Sequence, residues 1–282
     1  MKVVKLSGEV VDFNEDNIRK SLYNSGADKE EADRIFDKIK PNFYDLIPTK
    51  ELYKMAFDEL KQIKSSFAAR YKLKRALKEL GPEGFYFEKW IAKVFQAQGF
   101  DAITGQTLTG TCGITHEVDV IADNNKEVLF CECKFRNDID AKISVTTPMY
   151  FKSRFDDLKN LSFEYFGKTI QPTRGFMITN AYFTTDSIQF AEYYNINLLS
   201  WDYPEGKSIK MLINQMGLYP ITTMTTLTDD EEKTMLSKNC ILVKDIVSNP
   251  KLLDHFKFDE DRKKIILEEA KELIEYTKNV NP

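Results

Sequence analysis

Residues 117–135 carry the feature that most limits what this chain can fold into: two β-type runs, EVDVIA and EVLFCECKF, separated by Asp123-Asn124-Asn125-Lys126. A polar, Asx-rich tetrapeptide between apolar runs is a turn signal, so the runs pair as an antiparallel hairpin. Side chains alternate faces along a strand, which places Glu132 and Lys134 on one face and Cys131 and Cys133 on the other. With an even-length loop, odd positions of the first strand oppose even positions of the second. Asp119 therefore joins the face of Phe130, Glu132 and Lys134.

Two carboxylates at close range raise each other's pKa unless a cation lies between them. A hard divalent ion, with water and phosphate completing its shell, suits that donor set. A neighbouring lysine would hold or activate the attacking water and stabilise charge on a pentavalent phosphate. The pattern points to phosphodiester hydrolysis, with Glu88 on the preceding helix touching a metal-bound water or a second ion. Two plainer readings compete: a solvated Glu132–Lys134 ion pair, and a zinc site of Cys112, His116, Cys131 and Cys133. A Cys-x-Cys on one strand lacks the turn of a zinc knuckle, so Cys131 and Cys133 are expected as core residues behind the site.

Around this hairpin the periodicity predicts a multidomain α+β and α/β chain with units at 1–81, 82–206 and 207–282. In the first, KVVKL and EVVDF form a hairpin broken at Ser7-Gly8, Asn14 caps a helix, and Thr49 caps a longer one. Gly81-Pro82 ends the unit. The central unit has a helix with the stripe Phe87, Trp90, Ile91, Val94 and Phe95. Strands follow at 100–104, 117–122, 127–135, 174–179 and 196–201, with helices near 147–161 and 186–194, an α/β order. The last unit is a small helical one with a capping box at Thr228 to Glu231.

Bulk properties narrow the class. A net charge of −4 excludes a uniformly basic coat, yet residues 61–78 hold seven Lys or Arg and no acid. On a continuous helix, Arg70, Lys74 and Lys78 would share a face suited to phosphate. No run approaches the roughly 20 apolar residues of a membrane span, and the first residues lack the pattern of a signal peptide. A cytoplasmic protein with reduced thiols and no membrane partner is expected.

Asp119, then Glu132-Cys133-Lys134 at a strand end, behind a helix carrying Glu88, resembles the PD-(D/E)xK nuclease superfamily and its Mrr-type restriction endonuclease branch. The likeness spans about Gly84 to Asp202, through GFYFEKWIAKVFQAQGF, HEVDVIA, FCECKF and GFMITNAYFTTDSIQFAEYYNINLLSWD, with His116-Glu117 where small residues are common. It implies a restriction-endonuclease-like core in which Asp119, Glu132 and the Cys133 carbonyl bind Mg²⁺ (or Mn²⁺), Lys134 is catalytic and Glu88 supports them. VVKLSGEVVDFNEDNIRKSLYNSGA, IPTKEL and FAARYKLKRAL look like an ATP-cone, the nucleotide-sensing module of ribonucleotide reductases and a repressor of their genes. That resemblance implies ATP or dATP held by Lys5, Thr49 and Lys78, with Arg19 and Lys74 nearby. Leu6 stands where the family usually has an Arg, and Asn17 where a Lys is common. The stretch LTDDEEKTMLSKNCILVKDIV is similar to small helical modules that touch DNA backbone.

Together these imply an endodeoxyribonuclease of restriction or genome defence, a homo-oligomer acting on double-stranded DNA under ATP or dATP control. Arg136, Lys142, Lys152 and Arg154 are candidate backbone contacts. The alternative is a nucleotide-responsive DNA-binding regulator that uses a nuclease fold without cleavage.

Overall fold

The computed structural model describes residues 1–81, 83–138 and 140–280, with side chains through Tyr276. Pro82, of the expected Gly81-Pro82 boundary, lies outside the described residues, as do the last two residues of the expected third unit.

The first unit opens with the antiparallel pair β1 (Lys2–Val4) and β2 (Val10–Asp12), turned at Gly8, whose φ of 84° a side chain would strain. Asn14 caps α1 (Glu15–Asn24), accepting the Asp16 N–H at 2.8 Å, and Asp28 with Glu31 closes a capping box on α2 (Lys29–Ile39). β3 (Ile47–Pro48) then joins β1 in parallel. Two residues are too few to show a period, so this strand was not expected. Thr49 is the first residue of α3 (Thr49–Ile63) rather than its cap. Pro48 takes the cap position, and no side chain closes that end. Leu22, Ala32, Ile35, Phe36, Ala56 and Leu60 form the unit's small core.

The basic run is not one helix. It breaks at extended Lys64 and again at Lys72, giving α4 (Ser65–Tyr71) and α5 (Leu73–Lys78). The expected stripe is thereby lost. Arg70 is buried, donating to the Ser25 carbonyl at 2.6 Å and lying 3.8 Å from the Tyr276 ring centroid.

In the centre, α6 (Phe85–Ala97) buries Phe87, Trp90, Ile91, Val94 and Phe95 as its stripe predicts. β4 (Asp101–Thr109), β5 (Thr115–Asp123) and β6 (Val128–Cys133) form an antiparallel meander. The chain continues through β7 (Lys142–Ile143), α7 (Thr146–Leu158) and a hairpin of β8 (Phe163–Tyr165) and β9 (Lys168–Ile170). β10 (Arg174–Ile178), β11 (Tyr182–Phe183), α8 (Thr185–Tyr193) and β12 (Asn197–Leu199) follow. The five-stranded sheet has the order β12-β10-β6-β5-β4, with β10 parallel to both β6 and β12.

Val120 opposes Cys131 and Ile121 opposes Phe130, so odd positions face even ones as the turn predicts. Val120, Ala122, Leu129 and Cys131 pack with α6, whereas Ile121 and Phe130 pack with Leu158 of α7. Both sheet faces are covered, and the site lies at a strand end.

The last helices are α9 (Ile209–Met216), α10 (Asp229–Ser237), α11 (Val243–Ser248) and α12 (Glu260–Val280). Thr228 and Glu231 form the expected capping box. The apolar side chains of these helices share one buried cluster with Leu73 and Leu77 of α5, Trp90 of α6 and one sheet face. The Trp90 indole donates to the Leu218 carbonyl at 2.9 Å, and the Thr222 hydroxyl to the Ala76 carbonyl at 2.7 Å. Buried Glu269 accepts the backbone N–H and hydroxyl of both Thr225 and Thr226, which satisfies its carboxylate. Among the described residues, no helix is long and apolar enough to cross a membrane.

Candidate active site

Pairing between β5 and β6 ends at Val120 and Cys131. One step further the register sets Asp119 against Glu132. The Asp119 carboxylate turns into the gap and accepts the Cys133 N–H at 2.6 Å. The N–H and carbonyl of one strand residue point the same way, so the Cys133 carbonyl is directed toward the Asp119 side. Glu132 meets Arg154 of α7 at 2.6 Å, and the far side of that guanidinium donates to the Glu117 carbonyl.

Lys134 follows the strand. Its N–H donates to the Ile178 carbonyl at 2.7 Å and its carbonyl accepts the Thr179 hydroxyl at 2.7 Å, so its backbone is held while its side chain stays half-buried. Asn180 prolongs the ladder, exchanging 2.8 Å bonds with the N–H and carbonyl of Arg136.

The electrostatics are those of crowded carboxylates. Burial, then the charges of Asp119, Glu117 and Glu132, push the Glu88 carboxyl up to about 8. Burial and Glu132 push Asp119 up to about 7, against the pull of the Cys133 N–H. Glu132 is raised by burial despite Arg154 and Lys134. Hard oxygen donors that are costly to ionise together fit a hard divalent cation, with Asp119, Glu132 and the Cys133 carbonyl to hold it.

A second feature lies on the first unit. One cleft of about 600 Å³ is lined by Pro48, Lys50, Tyr53, Phe57, Lys72 and Arg75. Another of about 490 Å³ adjoins it through Lys50, Arg75 and Glu79, and adds Leu6, Lys78, Asn137 and Asp138. Arg75 lies 3.4 Å from the Tyr53 ring centroid, and Tyr53 stacks on Tyr71. Cations beside aromatic faces suit a phosphorylated base.

The restriction endonuclease family of Mrr type matches residues 80–203, the ATP cone domain residues 1–80, and the AF1548-like C-terminal family residues 219–274. An uncharacterized protein of Archaeoglobus fulgidus is 31% identical over 134 residues, covering 48% of this chain and 71% of that one. The chain belongs to one family with that Archaeoglobus protein, and it carries an ATP cone domain followed by a restriction endonuclease domain of Mrr type. A crystal structure described as a protein of unknown function, AF1548, is 26% identical, spans 68% of this chain and 98% of its own, and superposes with a TM-score of 0.54.

Within the Mrr-type domain the strand end gathers Asp119, Glu132, Cys133 and Lys134, and Glu88 lies within reach of their charge. Glu132 is ion-paired with Arg154, not with Lys134 across a wet strand. Its position half-buried against α7 is the reason. Arg154 is thus engaged inside the domain rather than offered at its surface. Lys152 pairs with Asp156 and sits 4.9 Å from the Tyr194 ring centroid, whereas Lys142 is exposed and Arg136 half-buried. The four residues of the competing zinc reading do not meet. Cys131 is the core residue the sequence predicts, burial pushes the Cys131 and Cys133 thiols well up, and Cys112 and His116 join Asp157 instead.

In the ATP cone only Lys78 of the expected ligands lines the clefts, with half-buried Thr49 between Pro48 and Lys50. Lys5 pairs with Glu9, and Arg19 with Asp33 while lying over Phe36. Lys74 bonds Tyr182 at 2.7 Å and Asp140 at 3.2 Å, joining the cone to the Mrr-type domain. Lys50, Tyr53 and Arg75 are cleft residues that the sequence reading missed, although Arg75 belongs to the basic run.

Proposed function

We propose that this chain is a Mg²⁺- or Mn²⁺-dependent endonuclease for double-stranded DNA whose ATP cone holds ATP or dATP and adjusts cleavage. One observation carries the reading: Asp119, Glu132, the Cys133 carbonyl and Lys134 meet where β5 and β6 part, with two carboxyls raised toward neutrality. Once bound, a divalent ion supplies Lewis-acid polarisation of a phosphate oxygen. The protein's own groups do the rest. The Lys134 ammonium orients a water beside the scissile phosphate and offsets the negative charge that grows there. In the metal-free chain Glu88, pushed up to about 8 by burial and by the charges of Asp119, Glu117 and Glu132, offers a hydrogen bond from its carboxyl rather than a further negative charge. Arg154 pairs with Glu132, pulling its carboxyl down against the upward push of burial and aiming it at the strand end.

Double-strand scission needs two such sites, which favours a homo-oligomer, and restriction or genome defence in the cytoplasm is the setting that fits. Arg136 and Lys142 are the basic residues best placed for phosphate. The cleft bordered by Lys78 of the cone and by Asn137 and Asp138, a few residues past Lys134, gives nucleotide a route to the site.

The test is conversion of supercoiled plasmid, methylated or unmethylated, with Mg²⁺, Mn²⁺ or EDTA and with ATP, dATP or neither. Nicked or linear product only with metal, at a rate that nucleotide changes, is the expected result. DNA retention without cleavage under every condition would favour the binding regulator instead. Calorimetry tests the cone separately. Lys78→Ala is expected to weaken ATP about 10-fold or more, the loss of one charge-assisted hydrogen bond. Absence of heat with the unmutated chain would remove the sensor role.

A further inference from the structure

The tip of the β4–β5 hairpin brings together three side chains that the nuclease reading does not use. Cys112 sits in the turn, His116 lies on β5, and Asp157 reaches across from the last turn of α7. The Cys112 Sγ is 3.0 Å from Asp157 Oδ2, and the His116 Nε2 is 2.7 Å from that same oxygen. All three donor atoms lie within 4.8 Å of one another. The surroundings hold them there. The Cys112 N–H donates to Asp157 Oδ1 at 2.9 Å, and the N–H and hydroxyl of Thr111 both donate to the Asp157 carbonyl. Gly110 packs under the carboxylate, where a Cβ would collide with Asp157 and crowd His116.

We propose that Cys112, His116 and Asp157 form a zinc site that ties the hairpin tip to α7. A thiolate, an imidazole and a carboxylate make a donor set of the softness zinc takes, unlike the all-oxygen set at Asp119 and Glu132. Tetrahedral zinc, with Zn–S about 2.3 Å and Zn–N and Zn–O about 2.0–2.2 Å, sets its donors about 3.3–3.6 Å apart. The observed separations of 2.7 and 3.0 Å are those of hydrogen bonds aimed at one oxygen, so a slight opening admits the ion. Coordination replaces both bonds. The Cys112 thiol proton leaves to solvent, and the imidazole binds through Nε2 with its proton on Nδ1. Cys112 is exposed, which leaves the fourth position to water.

The consequence is mechanical. Asp157 lies three residues past Arg154 on α7, so an ion at the tip also fixes the helix that presents Arg154 to Glu132.

Metal-stripped full chain titrated with Co²⁺ reads this directly. The expected result is one equivalent of tetrahedral Co²⁺ with a thiolate charge-transfer band, bleached by Zn²⁺. The band is expected to vanish in Cys112→Ser, whose exposed position spares the fold, and to need at least about 10-fold more Co²⁺ in His116→Ala, as loss of a ligand requires. It is expected to persist in Asp119→Asn, because oxygen ligands give no thiolate band. No such band in the unmutated chain, a band that survives Cys112→Ser, or unchanged affinity in His116→Ala would each overturn the proposal.

Discussion

Replacing Lys134 with alanine is expected to lower metal-dependent DNA cleavage about 10²- to 10³-fold, the usual cost of removing one group that stabilises charge in the transition state. The fold should survive. Lys134 is held through its backbone, by the Ile178 carbonyl and the Thr179 hydroxyl, and neither bond needs its side chain. Glu132 keeps Arg154 as its cation, so the carboxylate is not left buried without a partner. The loss therefore belongs in the rate rather than in DNA affinity or stability. Initial rates of plasmid cleavage, read beside gel-shift affinity and the thermal midpoint, separate the three. Lys134→Arg should recover part of the rate, since charge persists while its placement changes. An alanine variant that cleaves at the unmutated rate would remove the lysine from the chemistry.

The face shared by Asp119 and Glu132 was legible because two strong local rules agreed there: strict alternation and a turn of even length. Asn14 and the Thr228–Glu231 box were legible for a similar reason, as caps act over three residues. Contacts made by packing left no such trace. Arg154 reaches Glu132 across 22 residues, and its sequence position suggested a surface cation. Asp157 is 41 residues from His116, so the pairing of Cys112 and His116 with a helix carboxylate had no local signal. A helix running from beyond Ile63 toward Leu80 looked continuous through Arg70, Lys74 and Lys78, because charge spacing does not report the break at Lys72. Buried Arg70, held by the Ser25 carbonyl, shows that tertiary contacts overrode the period. The last helices have apolar residues at helical spacing, but periodicity does not say against what they pack. Here they pack on α5, α6 and the sheet at once.

Asp119→Asn is expected to abolish cleavage and at the same time to stabilise the metal-free protein at alkaline pH. The sign follows from linkage. Asp119 rises from 3.8 to about 7 on folding and Glu88 from 4.5 to about 8, so between those limits the folded chain binds more protons than the unfolded one. Their contribution is fully present below about pH 4 and is lost as pH climbs through 7 and 8. Asparagine at 119 cannot ionise. It also removes the largest charge acting on Glu88, and its amide oxygen still accepts the Cys133 N–H. The difference in thermal midpoint between variant and unmutated chain, measured in EDTA, should be smallest near pH 4 and grow with pH to its largest value, several degrees or more, near pH 8. For a chain of this size about 1 kcal/mol moves the midpoint about 2–4 °C. Taking the difference cancels the titration of groups far from the site. Mg²⁺ should act in the opposite sense, raising the midpoint of the unmutated chain near pH 8 and leaving Asp119→Asn nearly unmoved, because the ion stabilises only the form that binds it. Equal midpoints for the two proteins at both pH values would mean that Asp119 is not held against its own charge. The destabilised carboxylate would then no longer explain why this strand end should take up a cation.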